Sequence, residues 1–120
     1  MPVVYASGTL SLALVEILVH LTSAPLAAYS AVPLEFPEAL VTIVELNGLP
    51  KSWRDSPAPP ETRAIGDTWV ADRRSAALRV PSVVVPGEHN YVLNPNHPDF
   101  RRVRLGAAVP FPFDPRLPRP

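Results

Sequence analysis

Proline is the residue type that most limits how this chain can fold. Seventeen of its 120 residues are proline. Each proline fixes its own φ angle and removes a backbone donor, so long helices and central strands are excluded wherever prolines cluster. The chain is therefore expected to form short elements joined by tight loops. Its length suits one small domain, and 47% apolar with 18% charged residues is typical of a globular protein.

The apolar pattern between the prolines predicts a single α+β domain, with a mixed or antiparallel sheet and two or three helices. Strands are predicted over residues 3–6, 39–46, 76–80, 89–93 and 101–109. Helices are predicted over residues 10–21 and 60–72, and Pro60 suits the first position of the second helix. Ser7-Gly8-Thr9 supplies a turn and a cap for the first helix.

Glu16 lies inside the apolar stretch LSLALVEILVHL, which is apolar on every side of a helical wheel. A helix of this kind is expected to be buried. An ionised carboxylate inside it is costly unless a partner compensates the charge. Glu16 is therefore neutral, paired with a cation, or directed into a polar cavity. A structural carboxylate and a functional one fit this pattern equally well.

Charge is unevenly divided along a chain whose net charge is zero. Residues 1–50 carry four acids and no Lys or Arg, whereas residues 51–120 carry seven acids and eleven bases, ten of which are Arg. Arginine forks match phosphate geometry, so the basic half could hold a phosphorylated ligand, although a GC-rich coding bias gives the same composition. No basic run exceeds two residues, so nucleic-acid binding is not expected.

Several classes of site and location are excluded by what the sequence lacks. Cysteine is absent, which excludes a disulfide framework and a thiolate metal site. His20, His89 and His97 have no metal-ligand spacing, so no metal is expected. The first basic residue is Lys51, and the apolar run around Glu16 is too short to cross a bilayer, which argues against a signal peptide and a membrane span. A soluble cytoplasmic protein is predicted.

Other polar and aromatic residues have structural interpretations. Asn90, Asn94 and Asn96 are interpreted as turn residues without a catalytic role. Trp53 and Trp69 are interpreted as packing residues rather than a stacking platform. No glycine-rich phosphate loop is present among only five glycines.

Five blocks of sequence follow one another in an order that resembles the RES domain family. These blocks are VVYAS, SLALVEILVHL, LPKSWR, GDTWVADRRSAALRVPSVVVPGEHNYVLNPNHPDF and RLGAAVPFPFDPRL. They cover nearly the whole of residues 1–120, and the block from Gly66 to Phe100 is the most distinctive. Bacterial members of that family are toxins that consume NAD. The resemblance therefore implies an ADP-ribosyltransferase-like fold used to break down NAD.

The resemblance assigns roles to three residues. Glu16 corresponds to the family's Glu, Ser82 to its Ser, and Tyr5 to the tyrosine that precedes the Glu. By this correspondence all three contact NAD, and Glu16 and Ser82 are the catalytic pair. Considered without the resemblance, Ser82 is a turn serine and Tyr5 is a core aromatic whose hydroxyl is satisfied.

The family's Arg normally stands upstream, in a Gly-Arg-Trp-Asn-like stretch before the strand that begins here at Val3. The printed sequence starts at Met1, so the expectation is a RES domain without that segment, inactive or very feeble as written. Arg73, Arg74 and Arg79 are the arginines that could approach the diphosphate of NAD instead.

Three functions remain open at this point. The first is the toxin of a type II toxin–antitoxin system, which cleaves the nicotinamide–ribose bond of NAD with phosphate or water as acceptor. The second is a catalytically inactive fragment that retains only partner binding. The third is a structural or binding module in which Glu16 merely pairs internally. The resemblance also implies a partner, an Xre-like helix-turn-helix antitoxin that blocks the NAD site.

Overall fold

A four-stranded mixed sheet forms the centre of the computed structural model, which describes residues 2–20 and 29–117. Its strands are β1 (Val4–Ser7), β4 (Val41–Ile43), β5 (Ala77–Pro81) and β6 (His89–Leu93). They lie in the order β1-β6-β5-β4, with β4 and β5 parallel and the other neighbours antiparallel. Two helices complete the described part, α1 (Leu10–His20) and α2 (Pro60–Ala71). The predicted α+β class is confirmed.

Two small antiparallel sheets lie outside the central one. In the first, β2 (Ser30–Ala31) pairs with β8 (Val109–Pro110). In the second, β3 (Leu34–Glu35) pairs with β7 (Arg104–Leu105). Each strand has only two residues, as expected where prolines interrupt the chain.

Helix α2 covers one face of the central sheet. Trp69 and Val70 near its end pack with Leu78 of β5, and all three side chains are buried. Partly buried valines from the sheet and its flanks complete this cluster, namely Val3, Val44, Val80 and Val92. The helix begins at Pro60, as predicted, since a proline at the first helical position removes a donor that would be unpaired in any case.

Helix α1 follows β1 after a two-residue turn. Thr9 caps it by accepting a hydrogen bond from the Leu12 amide at 3.1 Å, which confirms the predicted cap. The prediction that α1 is a fully buried helix is wrong. Leu12 is fully buried, but Leu10 and Val19 are 56% and 55% exposed. Residues 13–18, which cover every side of the helix, are each half-buried, so the exposed residues lie near its two ends.

Two predicted strands are much shorter than the sequence suggested. The run at 39–46 contains only the three residues of β4, between 3₁₀ turns at Glu38–Leu40 and Leu46–Gly48. The run at 101–109 begins with the last two residues of the 3₁₀ helix Pro98–Arg102, contains the short strand β7 and ends at the first residue of β8. That 3₁₀ helix is capped by His97, whose Nδ1 accepts from the Asp99 amide at 3.0 Å. Local capping therefore outweighs strand propensity here.

No helix in the described ranges is long and apolar enough to cross a membrane. The end of the predicted first helix, beyond His20, lies outside the described residues, as does the side chain of His20 itself.

Candidate functional site

The end of β1 and the start of α1 are tied to the start of β6. Ser7 and Asn90 are cross-strand partners, and their side chains stand on the same face of the sheet. The Gly8 amide donates to the His89 carbonyl at 2.9 Å. A Cβ atom at Gly8 would lie 3.1 Å from that carbonyl oxygen, so glycine suits this close approach. The Thr9 hydroxyl donates to a Glu88 carboxylate oxygen at 2.9 Å.

The Glu16 carboxylate on α1 contacts two side chains that are far from it in the sequence. The Asn90 Nδ2 donates a short hydrogen bond to the Glu16 Oε2. The Ser82 hydroxyl lies 3.4 Å from the same oxygen and donates to it. The carboxylate is only half-buried, and two neutral donors hold one of its oxygens in place. A carboxylate fixed in this way is preorganised to interact with positive charge.

Ser82 is a turn serine that also contacts Glu16. Its hydroxyl accepts hydrogen bonds from the amides of Val84 and Val85 at 3.1 and 3.0 Å, which is the behaviour of a turn serine. The same hydroxyl donates to Glu16. A serine hydroxyl has one proton and two lone pairs, so these three bonds use its full capacity. The side chain is 2% exposed and does not line the cavity described next.

A cavity of about 1200 Å³ lies on the sheet face that carries Asn90, beside α1, α2 and the segment 49–58. Glu16, Tyr5 and Asn90 contribute to its wall on the side of the sheet. The opposite walls carry charges of both signs, from Arg54, Asp55, Arg63 and Asp67. This volume is somewhat larger than that of most small-molecule and cofactor sites, which is roughly 300–1,000 Å³.

Tyr5 stands at the edge of this cavity. Its side chain is 77% exposed, so the interpretation as a core aromatic is wrong. Tyr5 pairs with Val92 across β1 and β6, two positions from the Ser7–Asn90 pair, which places it on the same sheet face as Asn90. The structure therefore brings Glu16 and Ser82 into contact and places Tyr5 on the wall that Glu16 also lines.

Asn90 was predicted to be a turn residue, and this prediction is wrong. It lies in β6 and contacts Glu16 directly. Asn94, which was also predicted to be a turn residue, does form a turn, and its Oδ1 accepts a hydrogen bond from the Asn96 amide at 3.0 Å. The alternation of the strand HNYVL already placed Asn90 on one face with Val92, but the partner across that face was not visible in the sequence.

The arginines at the cavity differ from those expected. Arg73 and Arg74 follow the end of α2 and do not line the cavity, and Arg74 lies 3.8 Å from Asp72. Arg79 is the cross-strand partner of Tyr91 and belongs to the opposite face of the sheet. Arg54 and Arg63 line the cavity instead, and Arg54 donates from Nη2 to the Val83 carbonyl at 2.9 Å.

No group of three or more metal-ligating side chains occurs among residues 2–20 and 29–117. His97 caps a 3₁₀ helix and His89 opens β6. Among the described residues, the polar groups at this site include the Glu16 carboxylate, its donors Asn90 and Ser82, and the guanidinium groups of the cavity wall.

A model of the RES domain family matches residues 1–114 of this chain. The chain is 37% identical over 117 residues to Toxin Res of Yersinia enterocolitica, and the alignment covers 95% of the chain and 76% of that protein. It is 36% identical over 122 residues to the Prs ADP-ribosylating toxin of a Sphingobium species, covering 98% and 75%. Toxin Res of Photorhabdus laumondii is 34% identical over 119 residues, covering 97% and 76%.

Proposed function

The chain belongs to the RES domain family, and on this premise we propose that it is a toxin enzyme that breaks down NAD. In the proposed reaction the bond between the nicotinamide nitrogen and C1 of the ribose breaks. An oxygen of phosphate or water bonds to that carbon, and nicotinamide leaves. The products are nicotinamide and either ADP-ribose 1-phosphate or ADP-ribose. NAD is the substrate, and no metal takes part in the proposal.

The fixed carboxylate of Glu16 is the observation that carries this proposal. Cleavage of the nicotinamide–ribose bond builds positive charge on the sugar, in an oxocarbenium-like transition state. A carboxylate held in advance by Asn90 and Ser82 can stabilise that charge, because it does not have to reorient during the reaction. The adjoining cavity is large enough for a dinucleotide.

The other site residues have distinct proposed tasks. Ser82 holds Glu16 and the turn that follows β5, rather than attacking the substrate, since its hydroxyl is engaged on all sides. Tyr5 offers an exposed ring at the cavity edge for contact with the ligand. Arg54 and Arg63 supply guanidinium groups that suit the diphosphate of NAD.

We also propose a protein partner, an Xre-like helix-turn-helix antitoxin that covers the mouth of the cavity. Tyr5 and Val19 line this cavity and are 77% and 55% exposed, so apolar surface is available at its edge. The proposed place of action is the cytoplasm, where NAD is abundant. Co-expression with such an antitoxin and pull-down tests the pairing. Binding that survives Tyr5→Asp and Val19→Asp together would contradict this choice of surface.

The activity is tested by incubating the purified chain with NAD and following nicotinamide release by chromatography. Parallel reactions with and without phosphate identify the acceptor, because ADP-ribose 1-phosphate forms only in its presence. Glu16→Gln protein, purified in the same way, measures the background from contaminating enzymes. Nicotinamide release no faster than this background in either buffer would contradict the proposed activity.

A further inference from the structure

Ser7 stands at the start of a short relay of hydrogen bonds that ends on Glu16. Its hydroxyl donates to the Asn90 Oδ1 at 2.7 Å. The other end of the same amide, Nδ2, donates to the Glu16 Oε2. The two residues face each other across β1 and β6, so the sheet register itself brings the hydroxyl to the amide. The relay therefore connects an edge strand, a neighbouring strand and helix α1.

The polarity of this relay is fixed by the chemistry of its members. A carboxylate oxygen only accepts, so the amide must turn its NH₂ end toward Glu16. Its carbonyl end then faces Ser7, and only a donor satisfies it there. The serine hydroxyl supplies that proton. Because each bond in such a chain polarises the next, the relay also strengthens the contact on the carboxylate.

We propose that Ser7 is a positioning residue for Glu16, acting through the Asn90 side chain. The catalytic consequence of this inference rests on the proposed function, but the relay itself does not. Ser7 closes β1 immediately before Gly8, whose amide is bonded to the His89 carbonyl at 2.9 Å. The backbone on both sides of the hydroxyl is therefore held in register. A residue without a donor at position 7 leaves the amide carbonyl unsatisfied and free to rotate away from Glu16.

Kinetics provide the first test. Ser7→Ala is expected to lower kcat for nicotinamide release by about fivefold to tenfold, the typical effect of losing one partly buried hydrogen bond, with KM for NAD unchanged. Ser7→Thr keeps a hydroxyl and is expected to restore most of the rate. Ser11→Ala is the matched control, since Ser11 is exposed in the first turn of α1. Equal kcat values for Ser7→Ala and the parent chain would overturn the catalytic consequence.

The side-chain amide resonances of the chain provide a second test that needs no activity. The chain has four asparagines and no glutamine, so ¹⁵N-labelled protein gives only four side-chain NH₂ pairs, and Asn90→Ala identifies one of them. Ser7→Ala is expected to shift or broaden the Asn90 pair, leaving the others and the dispersed backbone spectrum in place. Ser7→Thr is expected to retain the Asn90 shift.

The two tests separate the relay from the proposed function. An Asn90 pair that does not move in folded Ser7→Ala protein overturns the relay, even if the activity of that variant falls. An Asn90 pair that moves supports the relay, even if the parent chain releases no nicotinamide. In that last case the proposed function fails while the positioning of Glu16 by Ser7 stands.

Discussion

Asn90 donates its side-chain amide to Glu16, a residue 74 positions earlier in the sequence. The pairing joins the second turn of helix α1 to the middle of the central sheet. Ser82, which follows β5, donates to the same carboxylate oxygen. Three separate segments thus meet at one acidic group on a cavity wall. These two neutral donors hold the carboxylate oxygen in a fixed position by hydrogen bonds.

Glu16→Gln is expected to lower nicotinamide release by about two to three decades, which corresponds to about 3–4 kcal/mol of transition-state stabilisation. The amide keeps the shape of the side chain and removes its charge. The rate is measured by single-turnover kinetics, and circular dichroism checks that the fold persists. Glu45→Gln is the matched control, since Glu45 is exposed and outside the cavity wall. A rate of nicotinamide release in Glu16→Gln within about a factor of three of the parent rate would show that Glu16 has only a structural role.

Asn90→Asp is expected to change the pH dependence of activity. The substitution places a second carboxylate against Glu16 in place of a donor. Two carboxylates in contact repel each other, so the pair takes up a proton at higher pH than one carboxylate alone. The acid limb of the pH–rate profile should therefore move to higher pH than in the parent chain. Superimposable profiles would show that Asn90 does not contact the carboxylate in the active form.

Ser82→Ala is expected to lower stability and activity together. The change removes the hydroxyl that accepts from the Val84 and Val85 amides and donates to Glu16. Loss of these bonds is expected to reduce the free energy of unfolding by about 1–3 kcal/mol, measured by urea denaturation. Glu16→Gln should lower only the activity. A Ser82→Ala protein that is inactive but as stable as the parent would instead favour direct contact between Ser82 and the substrate.

The sequence predicted the sheet and the second helix better than it predicted the site. The strand at 89–93 and the helix from Pro60 were found because their signals are local, an alternating run and a proline at the first helical position. The prediction of a strand at 101–109 was wrong because the His97 cap and Pro98 start a 3₁₀ helix that extends into this run. A cap acts over two or three residues and outweighs weak strand propensity.

The site was only partly predictable for a different reason. Glu16 was conspicuous as an acid among apolar residues, and Ser82 came from the family resemblance. The role of Asn90 depends on the register of β1 against β6 and on the direction of α1, neither of which one sequence displays. The position of Arg54 on the cavity wall was not predictable either, because it depends on how the loop around residue 54 lies beside Val83, which is distant in sequence.

Ser75→Ala is expected to destabilise the fold and to leave the wall of the cavity unchanged. The Ser75 hydroxyl accepts from the Trp69 indole at 2.8 Å, donates to the Ala77 carbonyl and lies 2.7 Å from the Thr42 hydroxyl. Its removal leaves the indole N–H of a residue that is 2% exposed without this acceptor. The expected loss is about 1–3 kcal/mol in the free energy of unfolding. Ser52→Ala serves as control, and equal denaturation midpoints for the two variants would contradict the network.

Arg54→Ala is expected to raise KM for NAD and to change kcat much less. The guanidinium lines the cavity and is held by the Val83 carbonyl at 2.9 Å, so it can meet the diphosphate with little loss of freedom. Charged hydrogen bonds of this kind are worth about 1.5–3 kcal/mol, which predicts a rise in KM of about tenfold to a hundredfold.

Arg74→Ala is the control for this measurement, since Arg74 pairs with Asp72 and lies outside the cavity wall. Arg54→Lys is expected to recover only part of the affinity, because an ammonium cannot hold the carbonyl and a phosphate with the same planar fork. Arg54 donates to the carbonyl of Val83, the residue that follows Ser82 in its turn. A fall in kcat at constant KM would therefore indicate that Arg54 stabilises this turn rather than binding the diphosphate. The split between KM and kcat thus separates recognition of the diphosphate from support of the catalytic carboxylate.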